Sequence, residues 1–129
     1  MIADNGVLAL SISPTSAIAA IGSDVDFVCN FDSPTASIAW NYRSNNSNPY
    51  PTIIWKGGEI DYSFNQHYTS RYRVETNTKT RQSSLTILSV QLNDSGFYAC
   101  KEHGMSNVSR ATLNVTGIQI SYISYATLC

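Results

Sequence analysis

Residues 94–100 read Asp-Ser-Gly-Phe-Tyr-Ala-Cys, and no other stretch narrows the fold so far. Side chains of an extended strand alternate between two faces, so Tyr98 and Cys100 point one way and Phe97, Ala99 and Lys101 the other. Asp94-Ser95-Gly96 ahead of them is turn chemistry. A turn therefore delivers a strand with a tyrosine and a cysteine on one face, and that cysteine needs a partner.

The same alternation recurs along the chain. "SDVDFVC" sets Val25, Phe27 and Cys29 against Asp24, Asp26 and Val28, and "SIAWNYR" sets Ile38, Trp40 and Tyr42 against Ala39, Asn41 and Arg43. Leu85 and Ile87 share a face in "SSLTILSV", as do Ala111, Leu113 and Val115 in "RATLNVT". Each is the pattern of a half-buried strand. Turn-forming clusters separate them: Asp32-Ser33-Pro34, Ser44 to Pro51, Gly57-Gly58, Asn77-Thr78 and His103-Gly104. No useful window shows a helical apolar stripe. We expect an all-β fold of about nine to ten short strands, a sandwich or a barrel.

A length of 129 residues suits one domain with a sizeable core. The net charge of -1 gives no support for nucleic-acid or anionic-membrane binding. Two long uncharged stretches fail as membrane spans. Residues 5–23 contain Pro14 and many hydroxyls, and residues 111–129 carry Asn114, Gln119 and repeated Ser and Tyr. The first also lacks the basic start of a secretory leader. We expect a leader to have been removed already and any anchor to lie outside these residues.

Cys29, Cys100 and Cys129 are too far apart for the close ligand pairs of a zinc site. Asp24 and Asp26 share an outward face, but no dense oxygen-ligand loop follows, so they read as solvated acids. Gly57-Gly58 suits a hairpin turn and is too short for a phosphate cradle. Asn45, Asn93, Asn107 and Asn114 begin N-x-S/T sequons, which favours a secreted or cell-surface glycoprotein. Asp94 inside the second makes Asn93 a poor acceptor, leaving Asn45, Asn107 and Asn114 as expected glycosylation sites.

Taken together, residues 7–116 resemble an immunoglobulin-superfamily V-set domain. Cys29, Trp40 and Cys100 match the family's cysteine–tryptophan–cysteine pin, and "LNDSGFYAC" looks like its L-x-x-D-S-G/A-x-Y-x-C signature. The resemblance implies a sandwich of two antiparallel sheets with Greek-key connections. It also implies a Cys29–Cys100 disulfide packed against Trp40, a tyrosine corner at Tyr98, and an Arg71–Asp94 ion pair across the bottom of the sandwich. Sixty positions separate Trp40 from Cys100, and "PTIIWKGGEIDY" in that interval leaves room for the two extra strands of the V type. The style is similar to amino-terminal V domains of junctional adhesion molecules and the coxsackievirus and adenovirus receptor. It departs from antigen-receptor V domains: the F/W-G-x-G bulge is missing, and the connection around Gly104 is short.

With both core cysteines engaged, His67 and His103 have no nucleophile to serve, and no catalytic residues, metal or cofactor are expected. We expect no enzyme. The expected activity is cell-surface recognition or adhesion outside the cell. The expected surface is the outer face of one sheet, with Ala39, Asn41, Arg43, Phe97, Ala99, Lys101, Arg110 and Thr112, together with Trp55 and Lys56 on the adjacent strand. An aromatic among cations is the composition of a protein-binding hot spot. The expected partner is another immunoglobulin-like domain, the same chain or a related one. The competing expectation is an innate V-type immune receptor that holds a foreign ligand with residues 44–50 and 103–107; a spacer domain is the blandest reading. Residues 117–129 form a carboxy-terminal extension, read as an extra strand or a stalk, that ends in Cys129, an odd cysteine suited either to an intermolecular disulfide, and so a homodimer, or to a partner cysteine in a further domain.

Overall fold

A computed structural model of the chain describes residues 10–32, 37–44, 52–56, 59–60, 71–102 and 107–117; of 52–56 and 59–60 only the backbone is described. Ten strands are present among the described residues: β1 (Leu10–Ser13), β2 (Ser16–Ala20), β3 (Val25–Phe31), β4 (Ile38–Ser44), β5 (Thr52–Lys56), β6 (Glu59–Ile60), β7 (Tyr72–Asn77), β8 (Gln82–Ile87), β9 (Gly96–Glu102) and β10 (Val108–Thr116). They form a four-stranded sheet, β1-β3-β8-β7, and a six-stranded sheet, β2-β10-β9-β4-β5-β6.

The alternation read from the sequence sets the inner faces. Phe27, Cys29, Leu85 and Ile87 from one sheet meet Trp40, Tyr98, Cys100 and Leu113 from the other in one buried cluster. The Cys29–Cys100 disulfide joins β3 to β9, with Cα atoms 6.3 Å apart. Trp40 is the register partner of Cys100. A buried indole N–H needs an acceptor; Trp40 Nε1 donates to Ser83 Oγ at 3.0 Å. Ser83 is in turn 2.8 Å from Thr76 Oγ1, so this buried hydroxyl is satisfied on both sides.

Pro14 divides the first strand pair. Proline has no amide donor, so a ladder stops there. Before it, β1 runs antiparallel to β3; after it, β2 runs parallel to β10. The chain changes sheets at this point, and β10 is therefore an interior strand with β2 outside it.

The lower end is held by a 3-10 turn over Leu92–Asp94. Asp94 is fully buried, and its carboxylate accepts Arg71 Nη1–H at 2.7 Å and Nη2–H at 2.9 Å. Gln91 N–H donates to the same carboxylate at 2.7 Å. Tyr98 Oη donates to the Asp94 carbonyl at 2.7 Å. Tyr42 Oη reaches the Asn93 and Ser95 carbonyls, each at 3.0 Å. Gly96 follows with φ +152°, and a Cβ there would lie 2.5 Å from the Arg43 carbonyl oxygen. Only glycine lets the turn enter β9 so close to β4.

Burial pushes the Tyr98 and Tyr72 phenols well above the ordinary tyrosine range, and the two hydroxyls share a hydrogen bond. The folded chain keeps two protons that an unfolded chain releases above about pH 10. Their contribution to stability is whole below that pH and is lost as pH rises. With two protons the slope is about 2.7 kcal/mol per pH unit. Urea midpoints from pH 9 to 12 should follow that fall, and Tyr98→Phe should halve the slope. A flat profile would mean the phenols ionise freely in the fold.

Candidate functional site

The ladders of β4, β9 and β10 arrange their outer side chains as a grid. Arg43, Phe97 and Thr112 form one row, Asn41, Ala99 and Arg110 the next, and Ala39, Lys101 and Val108 the third. Neighbouring strands lie ~4.8 Å apart and same-face residues along a strand ~6.7 Å apart. Ala99 is thus the centre of the grid, a methyl flanked by the longer Asn41, Phe97, Lys101 and Arg110. The result is a cavity of about 380 Å³ in the sheet surface, lined chiefly by Asn41, Arg43, Phe97, Ala99, Lys101 and Arg110.

The walls are partly fixed. The Arg43 guanidinium lies over the Phe97 ring, 5.0 Å from its centroid, a cation–π arrangement that holds an aromatic and a charge together at the rim. Arg43 and Arg110 are exposed, whereas Asn41, Phe97, Ala99 and Lys101 are half-buried. Ala39 departs from expectation. It is only 6% exposed and, with a single methyl, offers little contact surface. Trp55 lies on β5 as the register partner of Trp40, with a register shift between Trp40 and Asn41. Its side chain and that of Lys56 lie outside the described residues, as do Asn45 and Cys129.

The remaining predicted residues are scattered. Asn114 is exposed on β10 beside Ile18 of β2, which is 77% exposed. Asn93 is exposed on the 3-10 turn. Asn107 is half-buried, and its Nδ2 donates to Oε2 of the buried Glu102 at 3.3 Å. Asp24 accepts the Ser89 N–H at 2.8 Å, and Asp26 accepts the Thr86 hydroxyl at 2.5 Å. Both acids serve the fold at the surface of the four-stranded sheet. Among the described residues no three His, Cys, Asp or Glu side chains stand together as a metal site, and no helix is long and apolar enough to cross a membrane.

Two features lay outside the sequence reading. One is β2 as the outer edge of the six-stranded sheet, signalled only by Pro14 between two short apolar runs. The other is the Glu102–Asn107 contact that closes the β9–β10 connection, where Glu102 N–H also donates to the Asn107 carbonyl at 3.3 Å. No sequence signal marks it, since a charged residue near a turn reads as solvated.

The family model for the immunoglobulin V-set domain matches residues 12–117. The chain belongs to the immunoglobulin V-set family. A similar fold occurs in a chain of the solved structure described as "Structural basis of T cell specificity and activation by the bacterial superantigen toxic shock syndrome toxin-1". The two superpose with a TM-score of 0.68 at 17% identity, covering 84% of this chain and 99% of that one. At that identity the likeness concerns the fold. In this V-set domain β5 and β6 are the added strands of the V type, and they extend the sheet that carries the cavity. A V-set domain is compatible with a recognition or binding role.

Proposed function

We propose that this V-set domain is a non-enzymatic recognition or adhesion module of a secreted or cell-surface protein. It binds another immunoglobulin-like domain through the outer face of β4, β5, β9 and β10. One observation carries the reading: an aromatic, Phe97, held under Arg43 at the rim of a concavity that also presents Lys101 and Arg110. Buried aromatic and arginine side chains dominate binding energy at protein interfaces. The inter-sheet disulfide supports an oxidising, extracellular setting. We propose residues 1–116 as the domain and 117–129 as an extension, with Cys129 available for a disulfide to a second chain. A glycan on Asn114 would cover the end of the face near Ile18. It would leave the Arg110 end open, four residues or ~13 Å away along the strand.

The test is binding of the 129-residue chain to an array of immunoglobulin-like ectodomains, itself included, with sedimentation at rising concentration with and without reductant. We expect a partner whose affinity falls about tenfold or more with Phe97→Ala and is unchanged by Arg73→Ala on the opposite sheet. Affinity carried instead by residues 44–50 and 103–107 would replace this reading with a loop-borne immune receptor. An association lost only with reductant would implicate Cys129.

A further inference from the structure

The cavity around Ala99 is chemically one-sided. Arg43, Lys101 and Arg110 surround it, and no carboxylate is among its described lining residues. The chain as a whole carries a net charge of -1, so this is a local concentration of positive charge and not a basic protein. The described exposed acids Asp24, Asp26 and Glu75 stand on the other sheet, on or beside β3 and β7. Glu102 is buried and bonded to Asn107. Among the described residues neither Lys101 nor Arg110 has a carboxylate partner.

We infer that this face takes an acidic knob: an Asp or Glu side chain on a protruding segment of a partner protein that is not a second copy of this chain. The inference rests on the proposed use of the face and specifies its chemistry. The carboxylate would lie between Lys101 and Arg110, and its aliphatic stem over the Ala99 methyl and the Phe97 ring. Charge-assisted hydrogen bonds to arginine and lysine are the strong polar contacts available at such a surface. Two copies joined face to face by a twofold axis would set these cations against one another, because such an interface uses the same patch twice. Stacking the acidic side of one copy on the basic side of the next is a heterologous contact, which builds rings or filaments and not a pair of domains. A sulfated polysaccharide or nucleic acid fits less well. Those polyanions favour a stripe of cations on a basic protein, whereas here three cations ring an apolar floor.

The probe is the blocked peptide acetyl-Gly-Leu-Glu-Gly-amide, titrated into the isotope-labelled 129-residue chain and followed by amide chemical shifts. The glutamine counterpart and a heparin-derived hexasaccharide are run in parallel. We expect the glutamate peptide to shift the amides of Ala99, Lys101 and Arg110 at millimolar concentration. The glutamine peptide should need about tenfold more. Lys101→Glu and Arg110→Glu should abolish the response while the amide spectrum keeps its sheet dispersion. Ala99→Leu, which fills the floor and leaves every charge in place, should abolish it too.

Equal response to both peptides, or none at these residues, overturns the inference. So does tighter binding of the hexasaccharide, or shifts of the same amides on raising the concentration of the chain alone. Failure here is separable from failure of the proposed function. An array partner lost with Phe97→Ala but indifferent to Lys101→Glu keeps the face and removes the acidic knob. Glutamate shifts at Ala99 with no array partner keep the knob and remove the immunoglobulin-like partner.

Discussion

Replacing Cys29 and Cys100 together by alanine is expected to lower the unfolding free energy by about 4 kcal/mol. The disulfide closes a sequence separation of 71 residues, and cross-linking so long a loop removes much of the freedom of the unfolded chain. It also joins the centres of the two sheets, with Trp40 paired to Cys100. Domains of this size hold only about 5–15 kcal/mol in total. The variant should therefore sit close to its unfolding transition at body temperature. Urea unfolding followed by far-ultraviolet circular dichroism measures the difference. A loss below about 1 kcal/mol would mean that the Phe27, Leu85, Tyr98 and Leu113 core holds the sheets without the covalent link.

Asp94→Asn is expected to cost about 3–5 kcal/mol. Asp94 is fully buried, and its two oxygens take three N–H donors: two from Arg71 and one from Gln91. The amide keeps the shape but loses the charge, and its nitrogen faces a donor where an acceptor is required. Arg71, with only 15% of its side chain exposed, loses its ion pair with Asp94. The longer Nη1 bonds to the Leu88 and Ser89 carbonyls, 3.4 and 3.5 Å, replace little of it. Breaking one side of a buried pair is costlier than removing both. Arg71→Met combined with Asp94→Leu should thus lose less than the two single changes added together. Urea midpoints of the four proteins form a double-mutant cycle. Simple additivity would show that the Asp94 carboxylate acts through Gln91 and not through Arg71.

Both effects concern parts of the molecule that were legible in the sequence. The inward set Val25, Phe27, Cys29, Ile38, Trp40, Leu85, Ile87, Tyr98, Cys100, Ala111, Leu113 and Val115 follows from period-two alternation, and all are buried, while Tyr42 of the same set is half-buried and packs against that core. The turn before β9 was announced by Asp94-Ser95-Gly96. The V-type strands β5 and β6 were announced by the long interval between Trp40 and Cys100. These signals are local or depend on spacing, and the backbone imposes them wherever a strand has one buried face.

The outer face was legible only in part. Alternation alone aimed Asn41, Arg43, Phe97, Ala99, Lys101 and Arg110 away from the core. It could not tell that Ala39 would be buried, that β2 would lie outside β10, or that Glu102 would turn inward onto Asn107. Above all, it could not put Asn41 and Arg110 on either side of Ala99, with Arg43 one row away beside Phe97. Their strands are far apart in the chain, and only the β4–β9 and β9–β10 registers set them around one methyl. The sequence by itself determined which residues face inward, because that depends on a repeat of two along one strand. The tertiary structure alone decided which outward residues are neighbours, because hydrogen-bond register between distant strands is a property of the assembled sheet.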